Sequence, residues 1–232
     1  MTVPQNASQD HNARAGAAAA RRGSDGIAAT VVRSGDNPAA LPETPIIAIH
    51  RSDSSGTTDN FTTYLDTAAD DWPHGHGKDW KAPGGLGKAG TNGVADAITT
   101  KRGSIGYVEW AAARHRNLST VGVFNGGGAY ARLSAEAASA TIAASTMLGS
   151  DDDLRLQVNY QTTARDAYPI VMVVFEIVCT RGIRADRLAL LAAFLGYVIS
   201  DPGQELATDL GYAPVPASLR TKVASAIAGI RS

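Results

Sequence analysis

A turn rich in hydroxyl side chains, with a charged pair at its start, stands out in this 232-residue chain. Ser55 and Thr57 supply hydroxyl donors, and Gly56 between them leaves the backbone N–H groups accessible to a ligand. Arg51 can present its planar guanidinium to an oxyanion. Asp53 can hold that guanidinium in place, or accept a hydrogen bond from a protonated oxyanion. These residue types at this spacing predict an anion-binding loop.

The sequence on either side predicts a strand before the turn and a helix after it. Residues 45–50 are apolar, rich in β-branched side chains and preceded by prolines, which is typical of a buried strand. The first N–H groups of a helix lack intrahelical acceptors and carry the positive end of its dipole, so such a junction favours anions. After the turn, apolar residues recur at helical spacing at Phe61, Tyr64, Leu65 and Ala68.

Two other uses of the turn remain open on chemistry alone. Serine is a common N-cap, so Ser55 can simply cap the helix while Arg51 and Asp53 form a solvated pair. A phosphatase with Ser55 or Thr57 as nucleophile needs an activating base. His50 adjoins Arg51 in sequence, but strand alternation points these two side chains to opposite faces. The turn matches neither a P-loop nor a nucleophile elbow.

The turn and five later segments resemble the PstS family, the periplasmic phosphate-binding proteins that serve an ABC importer. RSDSSGTTDNFTTYL, residues 51–65, is similar to the family signature. The later segments, in family order, are W..GHGKDW, GKAGTNGVADAI, GSIGYVEWA, AYPIVMVVFEIV and DPGQELATDLGYAPVPASL. The resemblance covers roughly Pro42 to the C-terminus. The resemblance implies that one wall of a phosphate cleft is formed by Arg51, Asp53, Ser55, Gly56 and Thr57.

The resemblance also implies an α/β fold of the two-lobed periplasmic-binding-protein class, with lobe two complete and lobe one partial. We expect residues 1–38 to be disordered, 39–167 to form phosphate-binding lobe two, and 168–232 to contribute a return strand and helices to lobe one. Residues 170–180 are apolar on both faces, which predicts a central strand. A family segment of lobe one, carrying the carboxylate that selects phosphate over sulfate, is expected to be missing, which would weaken binding.

The remaining elements follow from periodicity and capping residues. Thr91 and Asn92 predict the cap of a helix that runs to residue 100. Residues 104–110 predict a strand in which Gly106 implies a close backbone approach. With Ser134 as one cap, further helices are predicted over 134–148, 186–200, 203–210 and 219–230.

Composition narrows the class of protein further. A net charge of −1 with 19% charged residues gives no sign of a nucleic-acid partner, and no apolar run is long enough to insert into a membrane. The lone Cys179 lies in an apolar run and is predicted to be a buried small hydrophobe. His74 and His76 have no third ligand nearby, so neither a metal nor a cofactor is expected. Trp72 and Trp80 are expected to anchor their loop.

The leading interpretation is inorganic phosphate binding as the solute-binding component of a phosphate ABC importer, without enzymatic activity. Its protein partner is then the membrane permease of that importer. The alternatives are a remnant or interaction module that binds no phosphate, and a phosphatase using Ser55 or Thr57. The resemblance implies a periplasmic or cell-surface location. Residues 1–24 hold no secretory apolar region and no lipidation cysteine, so cytoplasmic retention also stays open.

Overall fold

A computed structural model of the chain describes residues 44–69, 72–150 and 152–232. The segment expected to be disordered, residues 1–38, lies outside the described residues. Within them the chain alternates short strands with helices, and the α/β class predicted from the sequence is confirmed. Over the same residues, no helix combines the length and the apolar character needed to cross a bilayer.

The described residues group into two compact units, which are treated separately below. Unit 1 comprises residues 44–58 and 72–119. Unit 2 comprises residues 59–69, 120–150 and 152–232. This division does not coincide with the predicted boundary after residue 167, so the two predicted lobes stay a prediction.

Unit 1 is built on a three-stranded parallel sheet. Strand β1 (Ile47–Arg51) lies in the centre, between β2 (Leu86–Lys88) and β3 (Ser104–Gly106). Ile49 pairs with Leu86 on one side and with Gly106 on the other. Since the three strands run in the same direction, their carboxyl ends meet at one edge of the sheet.

A helix follows each strand of this sheet and begins at that same edge. Helix α1 (Gly56–Ala68) follows β1, α2 (Gly90–Thr100) follows β2, and α3 (Trp110–His115) follows β3. Helix α2 packs on the sheet because its apolar side chains recur on one face. The resulting core contains the buried residues Ile49, Val94 and Ala97, with Leu86, Ile98 and Val108 packed against them.

Two details of unit 1 differ from the sequence prediction. The strand is less buried than expected: Ile49 is buried, but Ile47 is exposed. A sheet of three short strands covers only the middle of its central strand. Helix α2 begins at Gly90, with Ala89 as N-cap, so Thr91 and Asn92 lie in its first turn instead of capping it.

The close backbone approach predicted at Gly106 is confirmed. A Cβ atom at this position would lie 2.6 Å from the Ile49 carbonyl oxygen and 2.9 Å from the Ile98 Cδ1 atom. Both distances are shorter than real Cβ contacts, so only glycine fits where β3 meets β1. This contact lies at the last residue of β3, directly before Tyr107.

Unit 2 combines two small hairpins with residues 59–68 of helix α1 and four further helices. The hairpins are β4 (Val123–Phe124) with β5 (Tyr130–Ala131), and β6 (Thr146–Met147) with β7 (Leu156–Gln157). The helices are α4 (Ala135–Ala143), α5 (Ala185–Ile199), α6 (Asp201–Asp209) and α7 (Ala217–Gly229). The last three lie within two residues of their predicted bounds. Helix α4 has the predicted Ser134 cap but stops earlier, because its expected last turn forms β6.

The predicted central strand over residues 170–180 is wrong. The described residues form no strand there, and several apolar side chains are exposed to solvent. Ile177 is 95% exposed, and Val174 and Phe175 are also exposed. Cys179, predicted to be buried, is exposed as well. A β-branched run becomes a strand only where a neighbouring strand supplies backbone donors and acceptors, and no described strand pairs with this segment.

Candidate anion-binding site

The charged pair at the end of β1 is a bidentate fork. The Arg51 Nε atom donates to Asp53 Oδ1 at 2.8 Å, and Nη2 donates to Asp53 Oδ2 at 2.6 Å. The Arg51 side chain is 12% exposed and the Asp53 side chain 42% exposed, so the pair is buried on its arginine side and open to solvent on its carboxylate side. Two of the five guanidinium N–H donors are engaged by Asp53, and the others remain for further acceptors.

Asp53 also connects the first loop of the site to helix α2. The Gly90 N–H donates to Asp53 Oδ1 at 2.9 Å. Gly90 has a φ of +67°, a left-handed conformation that glycine adopts without strain, and it directs the start of α2 towards the carboxylate. The hydrogen bonds from Arg51 and from Gly90 hold the pKa of Asp53 far below its usual range.

This depressed pKa leads to a testable pH dependence of stability. A carboxyl group with a lowered native pKa stabilises the fold above its unfolded value, about 3.9 for Asp, and loses that effect as pH falls through the native value. The difference in unfolding free energy between the wild type and Asp53→Asn should therefore be constant from about pH 8 to pH 5 and shrink below about pH 4. Urea denaturation across this range measures it. A difference that changes between pH 8 and pH 5 would contradict the assignment.

Ser55 caps helix α1, as the simplest interpretation of the turn predicted. Its buried Oγ atom accepts hydrogen bonds from the Thr57 N–H at 3.1 Å and the Thr58 N–H at 3.4 Å. The Ser55 N–H donates to the Lys78 carbonyl at 2.9 Å, so the following loop is tied to the turn. The Ser55 hydroxyl hydrogen is still available for donation, because the cap uses only the oxygen's lone pairs.

Two further donors of the turn remain open. Among the described residues, the Gly56 N–H and the Thr57 hydroxyl have no intramolecular hydrogen-bond partner. Gly56 is exposed and Thr57 is half-buried. The Thr57 N–H, in contrast, already donates to the cap. The positive end of the α1 dipole lies at these same groups, so an anion would complete their hydrogen bonding.

An aromatic stack lies beneath the turn. The Trp80 ring stacks on His50 with centroids 5.1 Å apart, and on Tyr107 with centroids 5.9 Å apart. Trp72 contacts Trp80 at 5.7 Å, so both tryptophans anchor their loop to unit 1 as predicted. The His50 Nδ1 atom lies 2.9 Å from the Arg51 carbonyl oxygen. Since a carbonyl only accepts, Nδ1 carries the proton in this contact.

Helix α2 is connected by polar contacts to both ends of α3. The Thr91 hydroxyl donates to Glu109 Oε1 at 3.3 Å. Arg116 donates to Asn92 Oδ1 at 3.0 Å and to Asp96 Oδ1 at 2.7 Å. These contacts join Arg116, the C-cap of α3, to α2. In the described part of the chain, no three metal-ligating side chains cluster in a way that could hold an ion.

The site therefore brings together all five residues singled out from the sequence. Sequence reasoning missed Gly90, which contacts Asp53 across 37 positions, and Tyr107, which contacts the turn across more than 40. The only signal for Gly90 was its place after a short strand and before a helix. Tyr107 had no signal beyond following the predicted close approach at Gly106.

The parallel sheet, the helices that begin at its carboxyl edge and the donors gathered there define the class of protein. The profile of the PBP superfamily domain matches residues 25–202, and the chain belongs to this superfamily. The match starts within the segment expected to be disordered and ends before the C-terminus, so its bounds differ from the predicted ones. The periplasmic-binding-protein-like α/β fold predicted from the sequence is confirmed.

Among characterised relatives, the phosphate-binding protein PstS 2 of Mycobacterium tuberculosis is 36% identical over 194 residues, which are 82% of this chain and 52% of that protein. The phosphate-binding protein PstS of Xylella fastidiosa is 34% identical over 181 residues, 77% of this chain and 49% of that protein. The predicted resemblance to the PstS family is confirmed. The chain spans about half the length of the curated relatives it matches.

A solved structure supports the fold alone. A high-affinity periplasmic phosphate-binding protein, PfluDING, determined with bound phosphate, gives a TM-score of 0.55 at 19% identity. The superposition covers 78% of this chain and 57% of that protein.

Proposed function

We propose that the chain binds inorganic phosphate at the carboxyl edge of the unit 1 sheet. The observation that carries the proposal is the guanidinium of Arg51, which Asp53 holds in a bidentate fork at the end of β1. The open donors at the start of helix α1 follow within six residues of it. The ligand would receive hydrogen bonds from Arg51, the Ser55 hydroxyl, the Gly56 N–H and the Thr57 hydroxyl. The named relatives are phosphate-binding proteins, which supports phosphate over other anions.

Directed donors matter more here than net charge. A dehydrated phosphate needs a hydrogen bond for nearly every oxygen, because an unpaired buried polar group costs about 1–3 kcal/mol. The turn supplies donors from three different sources, a guanidinium, two hydroxyls and a helix N-terminus, which reach the ligand from different directions. Asp53 balances part of the guanidinium charge and fixes its orientation.

We propose a binding role and not catalysis. A serine nucleophile needs a neighbouring base, but the Ser55 hydroxyl oxygen accepts two backbone N–H groups as a cap. The one histidine near the turn in sequence, His50, donates to the Arg51 carbonyl and stacks on Trp80. These contacts support phosphate capture without turnover.

The biological setting follows from the relatives. We propose that the chain acts with the membrane permease of a phosphate ABC importer, in the periplasm or at the cell surface. No direct membrane insertion, cofactor or nucleic-acid partner is part of this proposal.

Isothermal titration of the purified chain with phosphate tests the proposal. We expect one phosphate per chain, and much weaker heats with sulfate and chloride at matched ionic strength. Circular dichroism on the same sample shows that the protein is folded. Equal heats for all three anions, or no heat from a folded sample, would overturn the proposal and favour a remnant or interaction module that binds no phosphate.

A further inference from the structure

We propose that Tyr107 is the positioning residue for Arg51, because its hydroxyl connects the end of β1 to the first turn of α1. The inference rests on the proposed function and adds a residue that touches no ligand. The Arg51 N–H donates to the Tyr107 hydroxyl at 3.1 Å. The same hydroxyl is hydrogen-bonded to Thr58 Oγ1 at 2.8 Å. Thr58 is fully buried and Tyr107 is half-buried, so this contact is partly shielded from solvent.

The first of these bonds takes the place of a missing backbone partner. Strand β3 pairs with β1 only as far as Gly106, opposite Ile49. On the other side of β1, the ladder continues to Lys88, whose carbonyl accepts from the Ser52 N–H. The backbone of Arg51 therefore has β2 on one side. On its other side β3 has already ended, so no strand supplies an acceptor there. The Tyr107 hydroxyl supplies the acceptor there and extends the hydrogen bonding by one residue.

The second bond reaches the helix that presents the open donors. Thr58 follows Gly56 and Thr57 directly, and its N–H belongs to the Ser55 cap. One hydroxyl therefore sets the distance between the guanidinium-bearing residue and the N-terminus of α1. Binding groups must be held within about 0.5 Å of their productive geometry, which needs supporting contacts of this kind.

The tyrosine ring is itself held in place. It stacks on Trp80 with an interplanar angle of 29°, and Trp80 in turn stacks on His50. Because a tyrosine side chain has only two rotatable bonds before its ring, one stacking partner fixes the hydroxyl well. The aromatic stack thus acts as a support for the Arg51 backbone.

Tyr107→Phe tests the inference because it removes one oxygen and keeps the ring. We expect phosphate affinity in isothermal titration to fall about tenfold, which corresponds to one lost positioning contact. Tyr64→Phe is the matched control: Tyr64 is buried, and its hydroxyl donates to the Phe124 carbonyl at 2.8 Å within unit 2. This variant should lose comparable stability against urea and keep wild-type phosphate affinity.

A double-mutant cycle separates positioning from a general loss of stability. Arg51→Lys keeps the charge but cannot form the fork. This variant should therefore bind phosphate more weakly than the wild type, but still measurably. In this background Tyr107→Phe should change phosphate affinity by less than about twofold, because there is no guanidinium left to position. Wild-type affinity in Tyr107→Phe, or the same tenfold loss in the Arg51→Lys background, would overturn the inference. No binding by the wild type would instead overturn the proposed function.

Discussion

Replacing Arg51 with alanine is expected to lower phosphate affinity at least about a hundredfold. A hydrogen bond to a charged group contributes about 1.5–3 kcal/mol, and a guanidinium can give a phosphate two of them. The variant also leaves the Asp53 carboxylate without its partner fork. Because even an unperturbed aspartate, with a pKa of about 3.9, is ionised near neutral pH, this carboxylate would then repel the anion.

The chain contains a matched control for this experiment. Arg184 forms the same fork with Asp186, two residues ahead, with Nε to Oδ1 at 3.0 Å and Nη2 to Oδ2 at 2.6 Å. The Arg184 side chain is 70% exposed and belongs to unit 2. Arg184→Ala also removes one positive charge and one Arg–Asp fork, so an effect of overall charge would appear equally in both variants.

Isothermal titration of both variants with phosphate decides between these explanations. We expect Arg184→Ala to bind like the wild type and Arg51→Ala to show no measurable heat while its circular dichroism stays native. Equal, modest losses in both variants would mean that overall charge attracts the anion and that the Arg51 fork has no special role.

The contacts within the candidate anion loop were predictable from the sequence because they are local. Ser55, Gly56 and Thr57 are consecutive, and Arg51 and Asp53 stand within six residues of them, so a strand-to-helix junction alone brings them together. The helices of unit 2 were predictable for the same reason, since caps and periodicity are local signals. The contacts of Gly90 and Tyr107 with the loop were not predictable from the sequence, because strand pairing across the sheet brings these residues to the loop.

The failed strand over residues 170–180 shows the opposite case. Its composition satisfied every local criterion for a central strand, yet whether such a run pairs depends on strands elsewhere. The same dependence explains why β1 was expected to be buried along its length, whereas Ile49 is buried and Ile47 is exposed. Local patterns predict what a segment can become, and the neighbours decide whether it does.

The turn between β4 and β5 contains three consecutive glycines, residues 126–128, and it is organised by one buried amide. Asn125 is only 2% exposed. Its Oδ1 atom accepts from the Gly127 N–H at 3.0 Å and the Ala129 N–H at 3.4 Å. On its other side, the Nδ2 group lies 2.9 to 3.1 Å from the carbonyl oxygens of Ala164, Arg165 and Ala167. The amide therefore fastens the 164–167 segment to the turn.

Asn125→Ala is expected to lower the free energy of unfolding by about 3 kcal/mol, because buried donors and acceptors on two segments lose their partner together. Urea denaturation followed by circular dichroism measures the loss. Asn159→Ala is the control: Asn159 is exposed, and within the described residues its Oδ1 atom accepts only from the Gln161 N–H, so the loss there should stay below about 0.5 kcal/mol.

Asn125→Asp distinguishes the amide donor from the amide acceptor. The substitution keeps the oxygen that accepts from the turn but replaces the donor with a charged oxygen facing three carbonyls. At neutral pH the loss should equal or exceed that of Asn125→Ala, since an unpaired buried charge is added. As pH falls, the introduced carboxyl binds a proton and can donate again, so part of the loss should be recovered. Because burial disfavours the charged form, this recovery should begin above the usual aspartate pKa of about 3.9. A loss that does not depend on pH would mean that the acceptor, and not the donor, organises the turn.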